Sequence, residues 1–211
     1  MPIHKEGYPF IALFAGVNLL AFLFSAWLGW LLLPVTLWCI AFFRDPERKT
    51  PDGENLVICP ADGRLLPIIE AAPPAELGMG DGLRPRLSIF MNVFNVHVNR
   101  NPVSGTVLAL SYRPGKFFNA SFDKASIHNE RMSVRLRTPT GRELAVVQIA
   151  GLVARRIVCD LVQGQGVRAG ARFGIIRFGS RVDVYLPPGA EILVTAGMIT
   201  KAGETVLARF A

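Results

Sequence analysis

Ser180 follows Gly179 inside Phe173-Gly-Ile-Ile-Arg-Phe-Gly-Ser-Arg-Val-Asp-Val-Tyr-Leu-Pro187, with a strand-like run on either side of the pair. After the serine, Val182, Val184 and Leu186 alternate with Arg181, Asp183 and Tyr185, which predicts one buried and one exposed face. Glycine tolerates backbone angles that other residues avoid, so Gly179 can bend the chain and expose its carbonyl. A serine hydroxyl is a poor nucleophile until a base takes its proton, and a histidine oriented by a carboxylate is the usual solution. Only His4, His97 and His128 are present to act as that base. Each residue also has a plain reading. A Gly-Ser pair alone is an ordinary turn, and Asp62 before Gly63 is a turn-former. His97, in an apolar alternating run, reads alone as a core histidine, and His128 beside Asn129 and Glu130 as a solvated turn residue without a catalytic role.

The elements around these residues are mostly strands. Leu56–Cys59, Arg86–Phe90, Gly105–Leu110, Ser133–Arg137 and Leu144–Ile149 are short β-rich runs separated by glycine and proline. Pro74–Leu83 and Asn119–His128 are the stretches expected to be helical or irregular. A mainly antiparallel β domain is predicted over 51–211. Val167-Arg-Ala-Gly170 and Thr200-Lys-Ala-Gly203 form an internal echo, each a basic-Ala-Gly turn between apolar runs, which suits a barrel-sandwich of two related halves.

Residues 1–50 differ in character. No formal charge occurs over 36 consecutive positions, Tyr8 through Phe43. One straight helix of that length would run about 54 Å, well beyond a hydrocarbon core of about 30 Å. Two shorter helices broken near Gly29 or Pro34 fit better. Lys5 precedes the run and Arg44, Arg48 and Lys49 follow it, so both ends of a hairpin would face the cytoplasm. The run is too long and too aromatic for a cleaved signal peptide. Arg44–Pro51 is the charged, proline-bounded linker to the β domain.

Net charge is +7, from 23 Lys and Arg against 16 Asp and Glu, and this points to an acidic partner. The apolar N-terminus selects an anionic membrane surface over nucleic acid. Three cysteines, Cys39, Cys59 and Cys159, lie far apart with no paired spacing. They argue against a disulfide framework or zinc site and for reduced thiols on the cytosolic side.

Phe178-Gly-Ser180 followed by a valine-rich strand near the C-terminus resembles the self-processing site of phosphatidylserine decarboxylases. Four further segments are similar in the family's order: Cys59-Pro-Ala-Asp-Gly63, Asn92-Val-Phe-Asn-Val-His-Val-Asn-Arg-Asn-Pro102, Asn129-Glu-Arg131 and Ala150-Gly-Leu-Val-Ala-Arg-Arg-Ile157. The N-terminal hairpin and short chain look like the family's compact, membrane-associated branch.

The resemblance implies a catalytic set of Ser180, His97 and Asp62. His97 would accept the Ser180 proton while Asp62 holds the imidazole tautomer. Ser180 would then cut the chain after Gly179, leaving residues 1–179 and 180–211 packed together as a heterodimer, with the flanking strands in one sheet. Ser180 would become a pyruvoyl group that forms a Schiff base with the substrate, so that neither a metal nor pyridoxal phosphate is needed. Phosphatidylserine would be converted to phosphatidylethanolamine and CO2 at the cytoplasmic face of the cell membrane. Where longer relatives carry a second histidine, three positions before the one matching His97, this chain has Phe94, so the proton donor to carbon is left open between His97 and water. Arg155, Arg156, Arg168 and Arg172 are candidates for lipid phosphate. Two alternatives are a pyruvoyl lyase on another serine-bearing lipid and a non-enzymatic membrane-tethered barrel-sandwich carrier. Lys201 is the nearest modifiable lysine for the carrier, but it lacks a carrier's usual neighbours.

Overall fold

A computed structural model describes residues 2–115, 129–151, 156–177 and 180–210. Gly179, the candidate arginine Arg155 and the 119–128 stretch with His128 lie outside the described residues. The chain divides into two compact units, Met1–Glu47 and Arg48–Ala211.

The first unit is a helical hairpin, α1 (Tyr8–Phe24) and α2 (Ala26–Phe42). At about 1.5 Å per residue each 17-residue helix is about 26 Å long, slightly under a hydrocarbon core. The break falls at Ser25, in extended conformation with φ −162° and ψ 125°, and not at Gly29 or Pro34 as the sequence suggested. Both of those residues lie inside α2. Gly29 serves helix contact instead: a Cβ there would sit 2.3 Å from the Phe22 ring, and its carbonyl accepts from Asn18 Nδ2 at 2.9 Å. His4 N–H donates to the Phe43 carbonyl and Asp45 N–H to that of Pro2, both at 2.9 Å. The two ends of the hairpin therefore emerge together. Leu23, Phe24 and Trp27 at its closed end are 76%, 87% and 72% exposed.

The second unit is antiparallel β structure. One sheet runs β10 (Gly166–Val167), β6 (Gly105–Arg113), β7 (Arg131–Arg137), β8 (Glu143–Ala150), β12 (Ser180–Tyr185), β4 (Arg84–Met91), β2 (Gly63–Leu65) and β14 (Ile199–Thr200), and β3 (Ile69–Ala71) also pairs with β4. A second sheet orders β1 (Leu56–Ile58), β15 (Val206–Arg209) and β13 (Glu191–Ile192). A third orders β5 (Val98–Arg100), β11 (Arg172–Ile176) and β9 (Ile157–Cys159). Pro74–Leu83 contributes only a short 3₁₀ turn, Ala75–Leu77.

The main core gathers Leu87, Ile89, Met91, Val134, Leu136, Val146, Val182 and Val184 from one face of the large sheet, with Phe173 and Ile176 of the third sheet and Val57 and Leu207 of the second. The opposite face is not solvated. Leu77, Ala145, Val147, Ile149 and Tyr185 form a smaller cluster there, and every residue of β12 is buried. The expected exposed face of β12 is thus corrected. Arg181 and Asp183 lie 1% and 0% exposed because they satisfy each other, with Arg181 Nε 2.7 Å from Asp183 Oδ1 and Nη2 2.9 Å from Oδ2. A second correction concerns the strands flanking Gly179-Ser180. β11 and β12 belong to different sheets, so the chain crosses between layers there and does not close a hairpin.

The two basic-Ala-Gly turns occupy equivalent places. Ile58 N–H donates to Pro102 O at 2.8 Å while Arg100 N–H donates to Pro60 O at 2.9 Å, a reciprocal pair. Gly203 N–H then caps Cys59 O, and Gly170 N–H caps Asn101 O, each at 2.8 Å. Both glycines are left-handed, with φ 77° and 75°, which a side chain would strain.

Candidate active site

Ser180 opens β12, directly opposite Met91 on β4 and Ala150 on β8. Alternation along the strand turns its side chain to the Val182 and Val184 side, into the main core. There the hydroxyl is wholly buried and has no hydrogen-bond partner among the described residues. An orphaned buried hydroxyl costs about 1–3 kcal/mol, so its retention calls for a reason outside packing.

His97 comes from the third sheet. Its carbonyl accepts from Ile176 N–H at 3.3 Å, extending the β5–β11 ladder, and the ring is 0% exposed. Nδ1 lies 3.0 Å from the Asn95 carbonyl. A carbonyl only accepts, so in this contact Nδ1 is the donor. The turn presenting Asn95 is tied by its own asparagines: Asn92 N–H donates to Asn95 Oδ1 at 2.9 Å, and Phe94 N–H to Asn92 Oδ1 at 2.8 Å. Phe94 itself is 71% exposed.

Asp62 occupies the turn before β2. Gly63 beside it is pressed on β4, where a Cβ would meet Phe90 O at 2.2 Å, so no other residue fits without shifting the strand. β2 and β12 pair with opposite edges of β4. At about 4.8 Å per strand their backbones run about 10 Å apart near Asp62 and Ser180. The carboxylate takes two donors, Arg48 Nη2 at 2.8 Å on Oδ2 and Ala202 N–H at 2.7 Å on Oδ1. Neither is the imidazole, whose Nδ1 contacts Asn95 O. Neighbouring Cys59 is sealed in the core, and burial pushes its thiol up to about 12, which keeps it protonated and unreactive.

Asn99, two residues beyond His97, links the third sheet to the strands beside Ser180. His97 and Asn99 are two residues apart in extended chain and so share a side of β5. The Asn99 carboxamide reaches Ser180's neighbours, with Nδ2 3.8 Å from Met91 Sδ and Oδ1 accepting from Gln148 Nε2 at 2.8 Å. The sequence reading did not single out Arg48, Asn95, Asn99 or Gln148. A signal existed for Gln148, the one amide in the apolar run Leu144–Ile149, and for Asn99, one strand period from His97. Arg48 was read as linker. Among the described residues no three His, Cys, Asp or Glu side chains gather as metal ligands. Arg156, Arg168 and Arg172 are exposed, and Lys201, 66% exposed, lies 4.0 Å from Glu204.

Comparison with known proteins gives this constellation its context. Residues 35–208 match the family model for phosphatidylserine decarboxylase. A phosphatidylserine decarboxylase proenzyme of Paramagnetospirillum magneticum is 61% identical over 208 residues, covering 98% of this chain and 86% of the relative. Proenzymes of the same name from Rickettsia bellii and Cereibacter sphaeroides are 59% and 58% identical, over 99% and 98% of this chain and 90% and 89% of the relatives. The matched stretch takes in nearly the whole chain, and the chain belongs to the phosphatidylserine decarboxylase family.

Proposed function

We propose that this chain cuts itself between Gly179 and Ser180, converts Ser180 to a pyruvoyl group, and then decarboxylates phosphatidylserine to phosphatidylethanolamine at a membrane surface. The chain is an enzyme, a decarboxylase, which sets aside the carrier reading of Lys201. One observation supports the finer reading most: the Ser180 hydroxyl is sealed in the core without a partner, at the residue where the chain crosses between sheets.

His97 Nε2 takes the Ser180 proton, and Oγ attacks the Gly179 carbonyl, so the peptide becomes an ester and the amine of residue 180 is freed. β-Elimination expels the Gly179 carboxylate and leaves a dehydroalanine, which water converts to the pyruvoyl carbonyl with loss of ammonia. The Asp62–Arg48 pair fixes the turn on the far side of β4 and so holds the strand against which Ser180 rests. Products 1–179 and 180–211 stay together because β12 remains paired along six positions with both β4 and β8. The pyruvoyl ketone supplies an electron sink for the carbanion left as CO2 departs.

The hairpin anchors the enzyme. α1 with the preceding turn, Lys5–Phe24, has mean hydropathy 1.8 and is long and apolar enough to cross a membrane, while α2 is shorter. Lys5, Arg44, Arg48 and Lys49 flank the apolar run, and on the positive-inside rule they belong on the cytoplasmic side.

Intact-mass measurement of the detergent-extracted protein tests this reading. Two chains are expected, divided at 179/180, the smaller one reactive toward hydroxylamine. Ser180→Ala is expected to stay folded and uncut and to release no CO2. A wild-type chain that stays whole yet turns over lipid would overturn the proposal.

A further inference from the structure

Ser180 Oγ is not the only orphaned atom on its face. Gln148 Oε1 is also buried without a hydrogen-bond partner among the described residues, and the side chain is 0% exposed. Gln148 lies opposite Val182 on β8, one strand period from the Ala150–Ser180 pair. That puts it diagonal to Ser180 on the same face, within reach of a long side chain.

The chemistry of its neighbours fixes which way the amide points. Met91 Sδ can only accept, so the Asn99 atom facing it at 3.8 Å is Nδ2, and Oδ1 faces Gln148. The Gln148 atom on Oδ1 at 2.8 Å must then be Nε2, which leaves Oε1 as the group turned to open valence. A buried acceptor with no donor among the described residues is held beside the reacting residue by a chain of three side chains, Met91, Asn99 and Gln148.

We infer that Gln148 Oε1 is the acceptor for the primary amine of the substrate head group, with Asn99 as the positioning residue that presents it. The inference rests on the pyruvoyl reading above, since that amine must reach residue 180. An ammonium is the donor the site lacks. A lone acceptor contributes most to it in a water-free interior, and it discriminates against a head group whose nitrogen is acylated.

The test uses processed enzyme in mixed micelles and compares inhibition by phosphatidylethanolamine with inhibition by its N-acetyl derivative. Gln148→Leu removes the acceptor at similar volume and is expected to lower the preference for the free amine on the order of tenfold, the worth of a hydrogen bond to a charged group. Gln148→Glu keeps an acceptor and adds charge, and is expected to raise the preference above wild type. An unchanged preference in either variant overturns the inference. If both variants stay uncut or fail to fold, Gln148 has a structural role and the inference is equally lost. Failure of the parent reading shows itself elsewhere, as a wild-type chain that is uncut or releases no CO2.

Discussion

Arg48 and Asp62 are joined at 2.8 Å, the first residue of the β unit clamped to the turn that enters β2. The other carboxylate oxygen takes Ala202 N–H, so one aspartate ties together three distant stretches of chain. Both side chains are largely buried, at 9% and 13% exposure, which makes the pair worth more than a surface bridge. Arg48→Met should cost about 1–3 kcal/mol, the range for a charged hydrogen bond lost in a partly buried place. It should also slow the conversion of whole chain to two pieces. Denaturant midpoints and a time course of intact mass check the two effects separately. Full stability with normal cutting would remove the clamp from the account.

Asp183 is the more severe position. It is 0% exposed between Arg181, which is equally enclosed, and Arg86 Nε at 3.8 Å. Removing one member of a buried pair leaves the remaining charge uncompensated, at about 3–5 kcal/mol. Asp183→Asn keeps the shape and discards the charge, so it should unfold readily or fail to accumulate. Asp183→Asn together with Arg181→Met should recover much of that loss. A single variant that melts with the wild type would show that water reaches the pair.

How much of this was legible beforehand follows from what period-two alternation can report. It located β4, β6, β7, β8 and β12 to within a few residues, because each strand keeps one apolar face. It misjudged the other face of β12, since a buried ion pair has the same polar signature as a solvated surface. It also put β11 and β12 in one sheet, because a short glycine-containing gap looks the same in sequence whether the next strand stays in the sheet or joins another. The strand that Ser180 opens was readable from its local segment. The Arg48–Asp62, His97–Asn95 and Gln148–Asn99 relations were not, because partner choice depends on sheet register and on the turn held by Asn92 and Asn95. The hairpin break at Ser25 escaped for a related reason: Gly29, the apparent breaker, is needed for contact with Phe22.

Glu143 sets an acid limit on stability. Burial alone pushes its carboxyl up, but hydrogen bonds and charge from Arg137 and Arg135 outweigh that and hold it below the ordinary 4.5. A group whose folded value is depressed contributes stability that is present above the unfolded value and lost as pH falls through the folded one. Thermal midpoints of the wild type should therefore decline as pH drops from about 6 to about 3. Glu143→Gln should start lower at the neutral end and decline less. Parallel curves for the two proteins would show that the Arg135 and Arg137 contacts contribute nothing to acid sensitivity.

Every tryptophan of the chain, Trp27, Trp30 and Trp38, lies in α2, so intrinsic fluorescence excited at the indole band reports on the hairpin and not on the β unit. Trp27 and Trp30 are 72% and 65% exposed, beside the exposed Leu23 and Phe24. An apolar surface of that kind is stable only when something other than water covers it. Adding vesicles rich in anionic phospholipid to detergent-depleted protein should shift the emission to the blue and protect the indoles from an aqueous quencher. Vesicles of neutral lipid should do so more weakly at low salt, because the +7 chain loses its electrostatic attraction. Trp27→Phe should reduce the quencher-protected fraction without altering the cut at 179/180, since the hairpin and the strands around Ser180 belong to separate units. Emission that ignores both lipids would mean the hairpin covers its apolar surface by some other contact, and the membrane assignment would fall.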